Sequence, residues 1–231
     1  PHARELAYAA EHVTAIEVNG TYYRLQSRDS FSRWASATPD DFVFTIKASR
    51  FCTNRRILAE AGESISRFVG QGLAALGAKL GPILWQFMPT KQFDREDFAA
   101  FLGLLPAKVE GLALRHALEV RHKSFVTSEF VALARAAGAA IVSADSADYP
   151  AIADPTADFV YARLQDAQAT EPDGYAPAAL DRWAGIARAW AEGRAPAELS
   201  YVAAAPATAS SREAFVFFIN GAKERAPAAA Q

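Results

Sequence analysis

Three carboxylates, Glu17, Glu119 and Asp145, and three cations, Lys47, Arg121 and Arg163, each stand at or near the end of a short apolar or aromatic run. Cations of this kind recognise phosphate or carboxylate groups. Carboxylates beside them can transfer protons or hold a divalent ion. Glu17/Asn19, Glu119/Arg121, Ser143/Asp145 and Tyr161/Arg163 are each two residues apart, a spacing that puts both members on one face of a strand. A buried charge without a partner is costly, so these groups must pair, reach water or meet a ligand.

The expected acid–base set is Glu17, Glu119, Asp145 and His122, with Glu119 or Glu17 as the base and Asp145 as an alternative base or a metal ligand. Asn19, Tyr22, Lys47, Gln86, Arg121, Arg163 and Asn220 are the expected substrate contacts, because Lys47, Gln86 and Asn220 also close their own runs. His122 has the opposite parity to Arg121, so a loop role competes with an acid–base one. Tyr22 and Phe125 follow strands and could stack on a ring. Cys52 lies near Arg50, Arg55 and Arg56, which favours a lowered pKa, yet no base accompanies it. No H-x-x-x-H, H-E-x-x-H or Cys/His spacing occurs, which argues against a preformed zinc site. The cofactor stays unspecified, with a divalent metal as one option that no strong ligand motif supports.

Seven runs must position these groups: Ala15–Asn19, Phe42–Lys47, Ile83–Gln86, Ala117–His122, Ala140–Asp145, Phe159–Arg163 and Ala214–Asn220. Helical spacing separates most of them, with a helix expected over Arg4–His12, a second one capped by Ser27 or Asp29, and a long one over Glu63–Lys79. Ser128 is expected to cap a further helix, and Pro177 to open one running through Glu192. Strand–helix alternation builds parallel sheets, and the closed version collects functional groups at the C-terminal strand ends. The polar faces of the four paired strands should then share the interior, with Val142, Val160 and Ala162 on the opposite, helix-covered side.

The 231 residues, 51% hydrophobic and 22% charged, suit one globular domain spanning 1–231. A net charge of −2 gives no overall pull toward nucleic acid or anionic membrane, although a local basic cleft is compatible with it. One cysteine excludes an internal disulfide and agrees with a cytoplasmic setting. No apolar run approaches a membrane span, so no membrane partner is expected.

Six segments carry a resemblance to a known family: Ile16–Arg24, Trp34–Ala48, Gly81–Pro89, Leu118–Phe125, Phe159–Leu164 and Phe217–Lys223. Together they resemble the DUF72, or YecE-like, family. The resemblance implies a TIM-type (β/α) barrel and leaves the chemistry open. The family's glycine-rich first strand with its Gly-Trp pair has no counterpart, so that strand is expected to be absent or replaced. Where many members carry Arg-x-His-Gly, this chain has Arg163-Leu164-Gln165-Asp166, and a histidine role there does not transfer. The functional expectation is a hydrolase, on a phosphodiester or phosphate ester, or a lyase/isomerase, acting on an anionic substrate at the C-terminal mouth. The rival is a non-catalytic barrel that binds a metabolite or nucleic acid. The oligomeric state stays open.

Overall fold

The structure, a computed structural model, describes residues 5–204, 210–219 and 223–231. The chain divides into two compact units, Pro1–Met88 with Asp94–Ala117, and Pro89–Phe93 with Leu118–Gln231. All seven expected runs contain a strand, and these follow one another in sheet order, with every register-defined pairing parallel. This is the mixed α/β topology of a TIM-type (β/α) barrel. The first parallel strand among the described residues is Ala15–Val18, preceded by a helix.

The first unit contains α1 (Glu5–Ala10), β1 (Ala15–Val18), α2 (Arg28–Ser36), β2 (Val43–Lys47), α3 (Arg50–Thr53), α4 (Gly62–Val69), β3 (Leu80–Gln86) and α5 (Arg95–Leu104). A two-stranded antiparallel hairpin, β4 (Lys108–Val109) and β5 (Leu112–Ala113), leads into β6 (His116–Glu119), where the first unit ends. Ser27 caps α2 by accepting from the Ser30 amide, and Asp94 caps α5 by accepting from the Asp97 amide at 2.9 Å. Glu17 stands opposite Thr45, and Lys47 opposite Leu84, so Glu17, Thr45 and Lys47 share one face. On the other face Ile16 and Val18 stand beside Phe44 and Ile46, and Phe44 stacks on Trp34 of α2.

The single helix expected over Glu63–Lys79 is corrected. α4 stops at Val69, and Leu73–Lys79 is a 3-10 segment. Gly72 between them has φ +109°, where a Cβ would come within 2.7 Å of the Arg28 side chain, so the chain must turn there. Gly81 likewise belongs to β3 rather than to a helix stop. A Cβ on it would lie 2.6 Å from Val43 Cγ1 on the neighbouring strand, and glycine permits that approach.

The second unit contains α6 (Ser128–Ala136), β7 (Ala140–Asp145), β8 (Phe159–Leu164), α7 (Pro177–Ala191), β9 (Glu213–Phe218) and α8 (Ala226–Ala229). Thr127 rather than Ser128 caps α6, its hydroxyl accepting from the Phe130 amide. Val160, Ala162 and Leu164 pack against Trp183, Ile186 and Trp190 of α7. The opposite face of β8 and β9 is aromatic, with Tyr161 between Phe215 and Phe217 at ring distances of 6.2 and 5.2 Å. Among the described residues no helix is long and apolar enough to cross a membrane.

Candidate anion-binding site

In the second unit the polar residues of β6 and β8 assemble around one carboxylate. Glu119 is 1% exposed and accepts from Arg121 Nε at 3.1 Å and Nη2 at 2.9 Å through one oxygen. Its other oxygen accepts from Arg163 Nη1 at 2.5 Å, and Arg163 is itself only 2% exposed. Hydrogen bonds between ionised groups at such distances are the strong kind. The Arg121 guanidinium also lies over the Tyr149 ring, 4.3 Å from its centroid. The group is thus clamped on an edge and a face, and its side chain keeps 15% exposure. Gln165 approaches the same Glu119 oxygen at 3.5 Å.

Two of these neighbours are absent from the sequence-based set. Gln165 follows Arg163 at the two-residue spacing that marked the other pairs, but it lies just past the strand end and reads as the start of a connection. Tyr149 stands before Pro150 in a loop, and nothing in the sequence ties it to Arg121.

The expectation that Asp145 shares a face with Arg163 is corrected. β7 and β8 pair with Ala144 opposite Arg163 and Asp145 opposite Leu164. Paired residues share a face, so Ser143 and Asp145 lie with Ala162 and Leu164 on the α7 side, and Val142 lies on the Arg163 side. Burial, followed by the Asp166 carboxylate, pushes the Asp145 pKa up, against the opposing pull of Arg182 and a hydrogen bond from the Trp183 indole.

His122 is occupied by its loop. Its Nδ1 accepts from the Ser124 amide at 3.2 Å and lies 2.8 Å from the Ser124 hydroxyl, while that hydroxyl accepts from the Phe93 amide. An Nδ1 that accepts from an amide puts the ring proton on Nε2. Phe125 is fully buried against Phe93 and Phe130 and offers no stacking face.

The first unit brings together a second group. Asn19 Nδ2 donates to Glu17 Oε1 at 3.0 Å. Thr21 donates to the carbonyl of Lys47 at 2.7 Å, which ties the turn after β1 to the end of β2. Lys47 is 9% exposed, with Nζ 4.6 Å from the centroid of the Tyr22 ring, and the Tyr22 hydroxyl accepts from Asn54 Nδ2 at 3.0 Å. Gln86 ends β3 and is 8% exposed. Asn220 lies outside the described residues. Burial pushes the Cys52 thiol up to about 12 despite Arg55, the reverse of an activated cysteine. Among the described residues no group of three or more His, Cys, Asp or Glu is arranged to hold a metal ion.

A family profile described as "Protein of unknown function DUF72" matches residues 1–231. The chain belongs to the DUF72 family. Its fold recurs in the crystal structure of a DUF72 family protein from Enterococcus faecalis V583, at 18% identity and a TM-score of 0.75, covering 99% of this chain and 91% of that one. A second crystal structure of the same protein gives 18% identity and a TM-score of 0.73, covering 96% and 84%. A DUF72 family protein from Thermotoga maritima MSB8 gives 22% identity and a TM-score of 0.63, covering 94% and 82%. No curated protein matches the chain significantly. At these identities the DUF72 likeness carries the fold, and the chemistry must be argued from the side chains.

Proposed function

We propose that this DUF72 family protein is an enzyme, a hydrolase or a lyase/isomerase, acting on an anionic, phosphate-bearing small molecule that Arg121 receives. The observation that carries this is the setting of Arg121. With Nε and Nη2 committed to Glu119 and the guanidinium face on Tyr149, the end of the fork formed by the two Nη atoms is aimed before any ligand arrives. A guanidinium fixed in advance gives up little side-chain freedom on binding an oxyanion. Arg163 places a second cation on the same carboxylate. The lone, buried Cys52 goes with a reducing, cytoplasmic setting.

One observation favours the non-catalytic reading. Both Glu119 oxygens accept from guanidinium groups, which suits an anchor for arginines better than a base. Proton transfer to a ligand on Arg121 would then fall to His122, the remaining acid–base candidate of the same unit, or would not occur.

Titration calorimetry with inorganic phosphate, run beside turnover of p-nitrophenyl phosphate and bis-p-nitrophenyl phosphate, tests both readings. Arg121→Ala should weaken phosphate binding about tenfold or more, the scale of a charge-assisted hydrogen bond. Turnover lost in His122→Asn with binding intact supports the enzyme. Binding without turnover of any phosphate ester supports the binder. Lys47→Ala is measured alongside, since the same role is proposed for it on sequence grounds. Phosphate binding that ignores Arg121→Ala overturns the assignment.

A further inference from the structure

We infer that the loops following β1 and β2 form a binding surface for single-stranded nucleic acid, with Tyr23 and Phe51 as its base-stacking platforms. The inference is independent of Arg121 and rests on the first unit alone. Tyr23 is 68% exposed and Phe51 60%. A single exposed ring on a surface is ordinary, but here two are joined through Tyr22 and Asn54. The Tyr22 ring meets the Tyr23 ring edge-on at 5.0 Å. Its hydroxyl accepts from Asn54, whose amide in turn donates to the Arg50 carbonyl at the start of the helix that carries Phe51.

The segment that carries Phe51 has charge of one sign. Residues 47–56 hold Lys47, Arg50, Arg55 and Arg56 with no Asp or Glu, in a chain whose net charge is −2. Lys47 Nζ sits over Tyr22, and Arg50 lies 5.3 Å from the Phe51 ring centroid. Arg55 donates to the Phe51 carbonyl at 2.7 Å, to the Glu60 carbonyl at 3.0 Å and to the Ser64 hydroxyl at 2.6 Å, which braces the Phe51 platform. Exposed rings beside cations are how proteins hold unpaired strands, with bases stacking on the rings and phosphates on the charges. Two platforms call for at least two consecutive bases, which favours an oligonucleotide over a mononucleotide. A duplex hides the base faces that the rings need.

Fluorescence anisotropy with a labelled oligothymidylate of about 12 nucleotides, within the usual span of such sites, tests the inference on the full chain. Tyr23→Ala and Phe51→Ala should each weaken binding about tenfold, with Phe51→Tyr retaining it. Arg50→Ala should lower the slope of log affinity against log salt by about 0.7. Both ring variants lie at exposed positions, and circular dichroism verifies that they fold. No binding at low salt, unchanged affinity in the double ring variant, equal affinity for a duplex of the same length, or equally effective competition by thymidine monophosphate would each overturn it.

Discussion

Arg163 on β8 reaches across β7 to place Nη1 2.5 Å from Oε2 of Glu119 on β6. Neighbouring strands lie about 4.8 Å apart, so residues two strands away on one face are separated by about 10 Å. Only a long side chain spans that gap, and only over a small residue. The residue opposite Arg163 on the intervening strand is Ala144.

Removing the carboxylate takes a buried charged acceptor from two guanidinium groups. Glu119→Ala should destabilise the protein by about 3–5 kcal/mol, the cost of breaking one side of a buried pair. Urea unfolding measures it, and a loss below about 1 kcal/mol, the scale of a surface ion pair, would show that the Glu119 contacts contribute little.

Bulk at Ala144 should break the same contact sterically. Ala144→Leu puts a branched side chain beneath the Arg163 stem, where overpacking costs about 1–3 kcal/mol. In a double-mutant cycle with Glu119→Ala the two losses should be strongly non-additive; simple addition would mean that Ala144 does not shape the Arg163 path.

Stability should fall on mild acidification because of His116. Its Nδ1 accepts from the Trp85 indole at 3.1 Å and its Nε2 meets the Pro106 carbonyl at 3.0 Å, an arrangement that requires the neutral ring. Burial lowers its pKa below the ordinary 6.5, so the unfolded chain takes the proton first. Its contribution is complete above about 6.5 and is lost as pH falls from there through the lowered folded value. Thermal unfolding should show this step in the native protein and not in His116→Gln, whose amide takes no proton.

Asp145 should behave with the opposite sign. Its folded pKa is raised above the ordinary 3.8, so its contribution is present below that value and is lost as pH rises through the folded one. Asp145→Asn should therefore gain melting temperature relative to the native protein as pH rises from 3.8 through the folded value, with the gap widening over that span. A gap that narrows would mean that the Arg182 and Trp183 interactions outweigh burial.

Cys52 should be silent in the folded protein. With its pKa pushed up to about 12 and its side chain fully buried, only about one thiol in ten thousand is ionised at pH 8. A disulfide-exchange reagent should label it on unfolding and not before; rapid labelling of the native protein would show that the site opens.

The strand positions and the parallel topology are set by the sequence itself, because runs such as Val43–Lys47 and Phe159–Leu164 are β-forming, bounded by breakers and separated by helical spacing. The pairing of Glu119 with Arg121 is equally local, since period-two alternation fixes their common face. The same logic fails at β7. Ala-Ile-Val-Ser-Ala-Asp shows a polar face at Ser143 and Asp145, but that contrast does not say which side of the sheet the face meets, and only its pairing with β8 sends Asp145 to α7 and leaves Ala144 beneath Arg163. Tyr149 over Arg121 and the Glu119–Arg163 bond are also tertiary facts, since each joins residues from different segments. Local periodicity determines which groups could do chemistry, and inter-strand register decides which of them meet.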